Sequence, residues 1–265
     1  GCASTHREAE AMDDQSPTGL PASIEAAWGV RSRPNKGPRP ALSLERIVAA
    51  AVRVAATDGL QALSMGRVAA DLGVSTMSLY RYVAAKDELL ALMADLSFEA
   101  PPAARRPEET WRDGLSRWAW SELGVYRRSP WVLRIPISGP PVTPNAMAWL
   151  ERGLGCLRDT GLPEGEKLSV MLLLTGFVRS QATLQADVAA AQASGAAQPG
   201  PELMGAYGRL MARLTDPERF PALHAVLAAG VFDEPDDGDF DFAFGLERVL
   251  DGIETLIEKR RTGRG

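Results

Sequence analysis

The segment from Ser64 to Lys86, SMGRVAADLGVSTMSLYRYVAAK, constrains the fold more than any other part of the chain. Its apolar residues recur at helical spacing on both sides of Gly73, which predicts two short helices joined by a tight turn. Glycine suits this turn because a residue without Cβ adopts a positive φ at no steric cost. Ser75 can cap the second helix. We therefore expect a pair of helices that buries its apolar face against further helices.

The second helix of this pair carries an outward face that does not suit a protein core. Leu79 and Val83 are predicted to point inward, while the other positions hold small hydroxyls, aromatic rings and bases. The outward set is Thr76, Met77, Ser78, Tyr80, Arg81 and Tyr82, with Lys86 just beyond. Side chains of these types on a short helix suit the major groove of DNA.

The rest of the chain predicts an all-α fold, because no segment alternates as a strand over more than four residues. Pro101 and Pro102 mark an expected boundary between a domain at 41–99 and a second helical domain at 107–261. The first helix expected in the second domain begins at Trp111. Further helices are expected at 145–160, 164–194, 203–214, 217–227 and 240–259. Between 168 and 178 the long helix is apolar nearly all round, so we expect it to be buried on most sides.

Residues 1–40 are rich in Pro, Gly, Ser and charge, and they are predicted to be mostly disordered. Within them, residues 24–28 can form one short helical turn. Residues 31–39, RSRPNKGPR, hold four bases and no acid. This segment is either a solvated linker or a basic arm that contacts the phosphates or the minor groove of DNA, and its sequence leaves both open.

Charge is distributed unevenly along the chain. Between residues 31 and 86 there are nine basic and three acidic residues, although the whole chain has a net charge of −5. The acidic total argues against indiscriminate coating of nucleic acid, whereas the basic first third suits one DNA-facing end.

Catalysis, metal binding and membrane insertion find little support in the sequence. Cys2 and Cys156 form no spaced pattern, and neither His6 nor His224 has a neighbouring ligand at useful spacing. No triad or paired carboxylates beside a histidine point to an enzyme. No run of about 18 apolar residues could span a membrane, and nothing resembles a signal peptide. We expect a cytoplasmic protein without a cofactor or metal.

The helix order around LGVSTMSLYRYV resembles the DNA-binding domain of tetracycline-repressor (TetR) family regulators, a three-helix, helix-turn-helix unit. This likeness spans about residues 44–96, with ALSMGRVAADLGVSTMSLYRYVAAKDELL as its core. The second half is similar to the Tet-repressor type of C-terminal domain. The similar segments there are WRDGL at 111–115, PNAMAWLERGL at 144–154 and LTGFVRS at 174–180.

The resemblance implies a homodimeric repressor that binds a palindromic operator on double-stranded DNA and releases it when a small molecule binds the C-terminal domain. The helices at 164–194 and 240–259 are the implied dimer contacts. The implied DNA-contacting residues are Ser64, Arg67, Ser75, Thr76, Met77, Ser78, Tyr80, Arg81, Tyr82 and Lys86. A ligand-independent activator, an all-α carrier and an enzyme are the alternatives.

The effector site is indicated by aromatic and polar side chains of the second domain. The candidates are Trp111, Trp118, Trp131, Arg134, Met147, Phe177 and Gln181. A cavity lined by Trp and Met with few polar anchors suits an apolar or aromatic effector, although the same aromatics are also ordinary core material. A tetracycline–magnesium ligand is not expected, since His224 is the only histidine in this domain.

Overall fold

The computed structural model describes residues 18–30, 42–195, 200–233 and 238–263. Within these ranges the chain forms eleven α-helices and no strand, which confirms the all-α prediction. The helices are α1 (Ala22–Ala27), α2 (Leu44–Asp58), α3 (Met65–Leu72), α4 (Thr76–Tyr80), α5 (Lys86–Phe98), α6 (Trp111–Arg128), α7 (Pro144–Cys156), α8 (Glu164–Ala193), α9 (Gly200–Leu214), α10 (Pro221–Ala228) and α11 (Phe240–Thr262). None of the described helices is long and apolar enough to cross a membrane.

Packing divides the chain into two compact units, of which the first ends at Leu157 and the second begins at Arg158. The boundary expected near residues 100–106 therefore falls inside the first unit, where α5 packs against α6 and α7. Asp95 on α5 fixes the start of α7 through two hydrogen bonds. Its carbonyl oxygen accepts from Asn145 Nδ2 at 3.0 Å and its carboxylate accepts from the Ala146 amide at 3.0 Å.

Aromatic side chains form the shared core of α5, α6 and α7. Phe98 lies edge-on to Tyr126 and to Trp149, with ring centroids 5.6 and 5.5 Å apart. Trp118 lies 5.8 Å from Trp149, and its Nε1 donates to the Trp149 carbonyl oxygen at 2.9 Å. Such buried indoles contribute apolar area and have their one donor satisfied.

The N-terminal region is only partly as expected. The helical turn expected at 24–28 is present and begins earlier, at Ala22. Ser23, Ile24 and Glu25 are buried and α1 packs on α5, so this turn packs against the domain. The basic segment at 31–39 lies outside the described residues.

In the second unit, α8 packs against α11 through the rings of Phe177 and Phe242, whose centroids are 5.4 Å apart. The expectation that the middle of α8 is buried on most sides is wrong for the single chain. Leu174 is buried, but Leu172 is 76% exposed and Leu173 is also exposed. The helix has two apolar faces, and only one is covered within this chain.

Two helix ends differ from the sequence prediction by four residues, each for a local reason. α7 ends at Cys156 rather than at residue 160, and its final turn contains two glycines, which weaken a helix. α10 begins at Pro221 rather than at residue 217, because Asp216 Oδ1 accepts from the amides of Glu218 and Arg219 and holds them in a turn.

Candidate nucleic-acid interface

The turn between α3 and α4 has the geometry that the sequence predicts. Gly73 adopts the left-handed conformation with φ of 65°. The Val74 amide donates to the Ala69 carbonyl oxygen at 3.0 Å and the Gly73 amide donates to that of Ala70 at 3.2 Å. This pair of bonds closes the C-terminus of α3 and reverses the chain into α4.

α4 covers only five residues, yet its two faces differ sharply. Leu79 and the following Val83 are fully buried and anchor the helix to the domain. Met77 is 74% exposed, and Tyr80 is also exposed. A large apolar side chain exposed to this degree on a short helix favours an intermolecular role for this face.

Serine hydroxyls shape the starts of both helices. Ser64 Oγ accepts from the Arg67 amide at 3.1 Å, and Ser75 Oγ accepts from the Ser78 amide at 3.3 Å. Ser75 and Ser78 also share a hydrogen bond between their hydroxyls at 2.9 Å, while Thr76 is half-buried beside them. Capping uses a lone pair of Ser64, so its hydroxyl hydrogen can still be donated to a phosphate oxygen.

The four bases around this turn are not equivalent. Arg67 forms an ion pair with Asp58 at 3.0 Å and Arg53 forms one with Asp71 at 2.8 Å. Arg81 and Lys86 are exposed, and neither side chain forms an ion pair or a hydrogen bond within the described part of the chain. Their positive charge is therefore free to attract phosphate.

Tyr82 is placed at the interface in a different role from the one the sequence suggests. Its hydroxyl donates to the Leu42 carbonyl oxygen at 3.0 Å, just before α2. A phosphate oxygen only accepts, so in this conformation Tyr82 orients the entry to α2 rather than donating to DNA. The hydroxyl of Tyr80 makes no hydrogen bond to the residues that the structure describes.

Three features of this interface were missed by sequence reasoning: the carboxylate partners Asp58 and Asp71, and the backbone acceptor at Leu42. Asp58 lies nine residues before Arg67 and on a different helix, so no helical spacing connects the two. A local motif cannot reveal such tertiary pairs.

The candidate effector residues are distributed over both units. Trp118 is 3% exposed and has its nitrogen engaged in the aromatic core, and Trp131 is also buried. Phe177 and Gln181 are half-buried in the second unit. In the first unit, the remaining candidates are the half-buried Trp111 and the exposed Arg134 and Met147.

Metal and thiol chemistry have no visible site in the ranges that the structure describes. No group of three potential ligands among His, Cys, Asp and Glu comes together there. Cys156 is buried, and burial raises the pKa of its thiol, which disfavours the reactive thiolate.

Comparison with known proteins agrees with this geometry. Residues 47–93 match the family model described as "Bacterial regulatory proteins, tetR family". Residues 101–257 match the model "Tetracyclin repressor-like, C-terminal domain". The chain belongs to the TetR family. Regulators of this family are DNA-binding transcription factors rather than enzymes, and they dimerise and bind small molecules.

Individual relatives cover nearly the whole chain. The HTH-type transcriptional repressor DrrR1 of Streptomyces coeruleorubidus is 38% identical over 258 residues, which are 90% of this TetR-family chain and 87% of the relative. The crystal structure of ActR from Streptomyces coelicolor with (S)-DNPA is 27% identical, has a TM-score of 0.67 and covers 81% of this chain and 98% of ActR. ActR with actinorhodin is 28% identical, with a TM-score of 0.66 and coverage of 81% and 96%.

Proposed function

We propose that this TetR-family chain is a homodimeric repressor that reads a palindromic operator with α4 and releases it when a small molecule binds. One observation carries the proposal. The outward face of α4 exposes Met77 and Tyr80, its inward side is anchored by Leu79, and two uncompensated bases, Arg81 and Lys86, follow it. A rigid helix with base-reading side chains and flanking cations fits a major groove.

The side chains of this face divide into two tasks. Met77 and Thr76 are proposed to meet base edges, where a thioether or methyl group can contact the thymine methyl and a hydroxyl can donate or accept. Lys86, Arg81 and Ser64 are proposed to hold phosphates, which fixes the register of the helix but carries no sequence information.

Two-fold symmetry of the protein would present two copies of α4 to two half-sites. The operator is therefore proposed to be a palindrome. The surface proposed for dimerisation is the uncovered apolar side of α8 and α11. On α8 it includes Leu172 and Leu184, and on α11 it includes Phe240 and Phe244, all of them exposed in the single chain. A shallow depression of about 540 Å³ beside Leu184 lies on the same helix and can receive side chains of a second copy.

The effector is proposed to be an apolar or aromatic small molecule. ActR, at 27–28% identity, was crystallised with (S)-DNPA and with actinorhodin, which supports a small-molecule effector for this chain. Repression rather than activation is supported by the name of DrrR1. A repressor acts where bacterial DNA lies, so we propose a cytoplasmic location.

Selection of duplexes from a random DNA library by the full chain tests the proposal. We expect enrichment of one motif with two-fold symmetry, bound by two chains per duplex, as measured by sedimentation of the complex. Enrichment of no motif would overturn the proposed operator binding. An asymmetric motif bound by one chain would overturn the dimeric reader.

A further inference from the structure

α1 lies outside both segments that match the family models, yet it is firmly attached to the DNA-reading part of the first unit. Ser23 on α1 is 2% exposed, and its hydroxyl donates to Glu88 Oε2 on α5 at 2.6 Å. A bond this short between a buried hydroxyl and a carboxylate is of the strong, charge-assisted kind. An arbitrary surface attachment does not require such a contact.

Glu88 connects α1 to the turn that follows α4. The N-cap of α5 is Ala85, which has no side-chain oxygen to offer the first amides of the helix. Glu88, the third residue of α5, reaches back instead, and its Oε2 accepts from the Ala84 amide at 3.3 Å. Ala84 belongs to the turn between α4 and α5, so a single carboxylate oxygen joins this turn to Ser23.

α1 is held at its other end as well. Trp28, which follows the last residue of α1, donates from Nε1 to the Val142 carbonyl oxygen at 2.8 Å. Val142 lies just before α7, and the start of α7 is fixed to α5 through Asp95. The contacts therefore form a closed loop from α5 through α1 and α7 back to α5.

We propose that α1 is a brace that positions the C-terminal end of α4 for DNA binding, with Ser23 and Glu88 as its positioning residues. The proposal rests on the proposed DNA-reading role of α4. The Ser23 hydroxyl fixes the rotamer of Glu88, which in turn holds the Ala84 amide in the turn that follows α4. Neither Ser23 nor Glu88 is proposed to touch DNA.

Amide hydrogen exchange in the full chain tests the brace without DNA. In Ser23→Ala we expect exchange at the Ala84 amide to accelerate by about fivefold. The substitution removes the hydrogen bond from Ser23 to Glu88, and Glu88 is the acceptor of the Ala84 amide. Ser97→Ala is the matched control, because the Ser97 hydroxyl on α5 bonds, among the residues that the structure describes, only to Met93 of the same helix. Ala84 exchange in this control should equal that of the wild type.

Binding to DNA tests whether the position matters. The probe is the duplex that the wild-type chain enriches from a random library, with a scrambled duplex for non-specific binding. We expect Ser23→Ala to bind the enriched duplex about fivefold more weakly and the scrambled duplex unchanged. A loss of folded protein alone would weaken binding to both duplexes equally.

A second pair of variants, Glu88→Gln and Glu88→Ala, separates the charge of Glu88 from its hydrogen bonds. Both variants remove the charge, and only Glu88→Ala also removes the hydrogen bonds. Glu88→Gln retains an oxygen that can accept from Ser23 and Ala84, whereas Glu88→Ala does not. We expect Glu88→Ala to weaken specific binding about fivefold relative to Glu88→Gln, and Ser23→Ala to add little to Glu88→Ala, because both break the same link.

The outcomes separate this inference from the proposed function. If the wild type enriches a motif but Ser23→Ala and Glu88→Ala bind it as tightly as their controls, the brace is refuted and the proposed function stands. The brace is also refuted if Ala84 exchange is unchanged in Ser23→Ala. If the wild type enriches no motif, the proposed function fails, and the role of α1 in DNA binding fails with it.

Discussion

Arg67 and Lys86 carry the same charge near the same turn, but their neighbours make them differ in how readily they can bind a DNA phosphate. Arg67 is paired with Asp58, so a phosphate must compete with a carboxylate for the guanidinium. Lys86 has no carboxylate partner within the residues that the structure describes, and it is the first residue of α5. Its ammonium can bind a phosphate without first breaking an ion pair.

Lys86→Ala should therefore weaken binding to specific and scrambled duplexes alike. Each of the two chains on the duplex loses one phosphate contact, so the slope of log K against log salt concentration is expected to fall in magnitude by about 2. Arg67→Ala should change that slope less, since part of its charge is already compensated. Lys259→Ala, on the exposed end of α11, is the control and should leave the slope unchanged. Equal effects of Lys86→Ala and Lys259→Ala would contradict the phosphate role of Lys86.

The residue types at α4 could be predicted from the sequence, but their partners could not. Helical spacing separates Leu79, which is buried, from Met77, which is exposed. The hydrogen bond from Tyr82 to the Leu42 carbonyl oxygen connects positions forty residues apart, and no local pattern encodes it. Sequence therefore indicates which side chains face outward, and tertiary structure decides which of them are free to bind.

At the scale of the elements, the start of α6 shows how a few polar atoms define a helix. Thr110 and Asp113 form a reciprocal capping box. Thr110 Oγ1 accepts from the Asp113 amide at 3.1 Å, and the Asp113 carboxylate accepts from the Thr110 amide at 3.0 Å and from its hydroxyl at 2.6 Å. These bonds from Thr110 lower the pKa of Asp113 from its ordinary value of 3.8.

Thr110→Ala should lower the free energy of unfolding by about 1 kcal/mol at pH 7. A carboxyl group with a lowered pKa stabilises the folded state above its unfolded pKa, and this contribution is lost as the pH falls through the folded value. The difference between wild type and variant should therefore shrink below the ordinary pKa of Asp113. Urea denaturation followed by circular dichroism at pH 7 and in acid measures both effects.

Thr255→Ala is the matched control, because the hydroxyl of this exposed threonine on α11 bonds, within the described part of the chain, only to Asp251 one turn earlier. Its effect should stay within about 0.5 kcal/mol and should not vary with pH. If Thr110→Ala lowered the free energy of unfolding by the same amount in acid as at pH 7, the capping role of the pair would be contradicted.

Existence of the helices could be predicted more securely than their ends or their burial. The spacing of apolar residues finds α2, α3 and α5, since each buries one face within the first unit. α1 was anticipated only as a short turn, because its packing depends on Ser23 and on a distant carboxylate. For α8, periodicity indicates which residues are apolar but cannot say whether this chain or a second copy covers them.

At the scale of the whole molecule, the uncovered face of α8 predicts self-association. Leu172→Glu would place two charges at a two-fold interface, so we expect the dimer dissociation constant to rise about a hundredfold or more. Ile137→Glu is the control, because Ile137 is 74% exposed and belongs to the first unit. Sedimentation velocity should find Leu172→Glu monomeric and Ile137→Glu dimeric, whereas a dimeric Leu172→Glu would exclude this face.

The two units divide the proposed work between them. The first contains α4, which is proposed to read DNA, together with α5, α6 and α7, and the second contains the apolar surface proposed for dimerisation. The closed set of contacts through α1, α5 and α7 reaches the turn after α4 through the hydrogen bond between the Ala84 amide and Glu88. In the proposed function, operator recognition depends on a few exposed residues of α4.

The motif selected from random DNA by Met77→Ala, compared with that of the wild type, tests the central claim most directly. Met77 contacts DNA only if α4 reads the major groove, and its exposure makes the substitution harmless to the core. We predict that the motif loses its preference at one position in each half-site, in symmetric places, while Lys86→Ala selects the wild-type motif. An identical motif from Met77→Ala and wild type would contradict base reading by this side chain of α4.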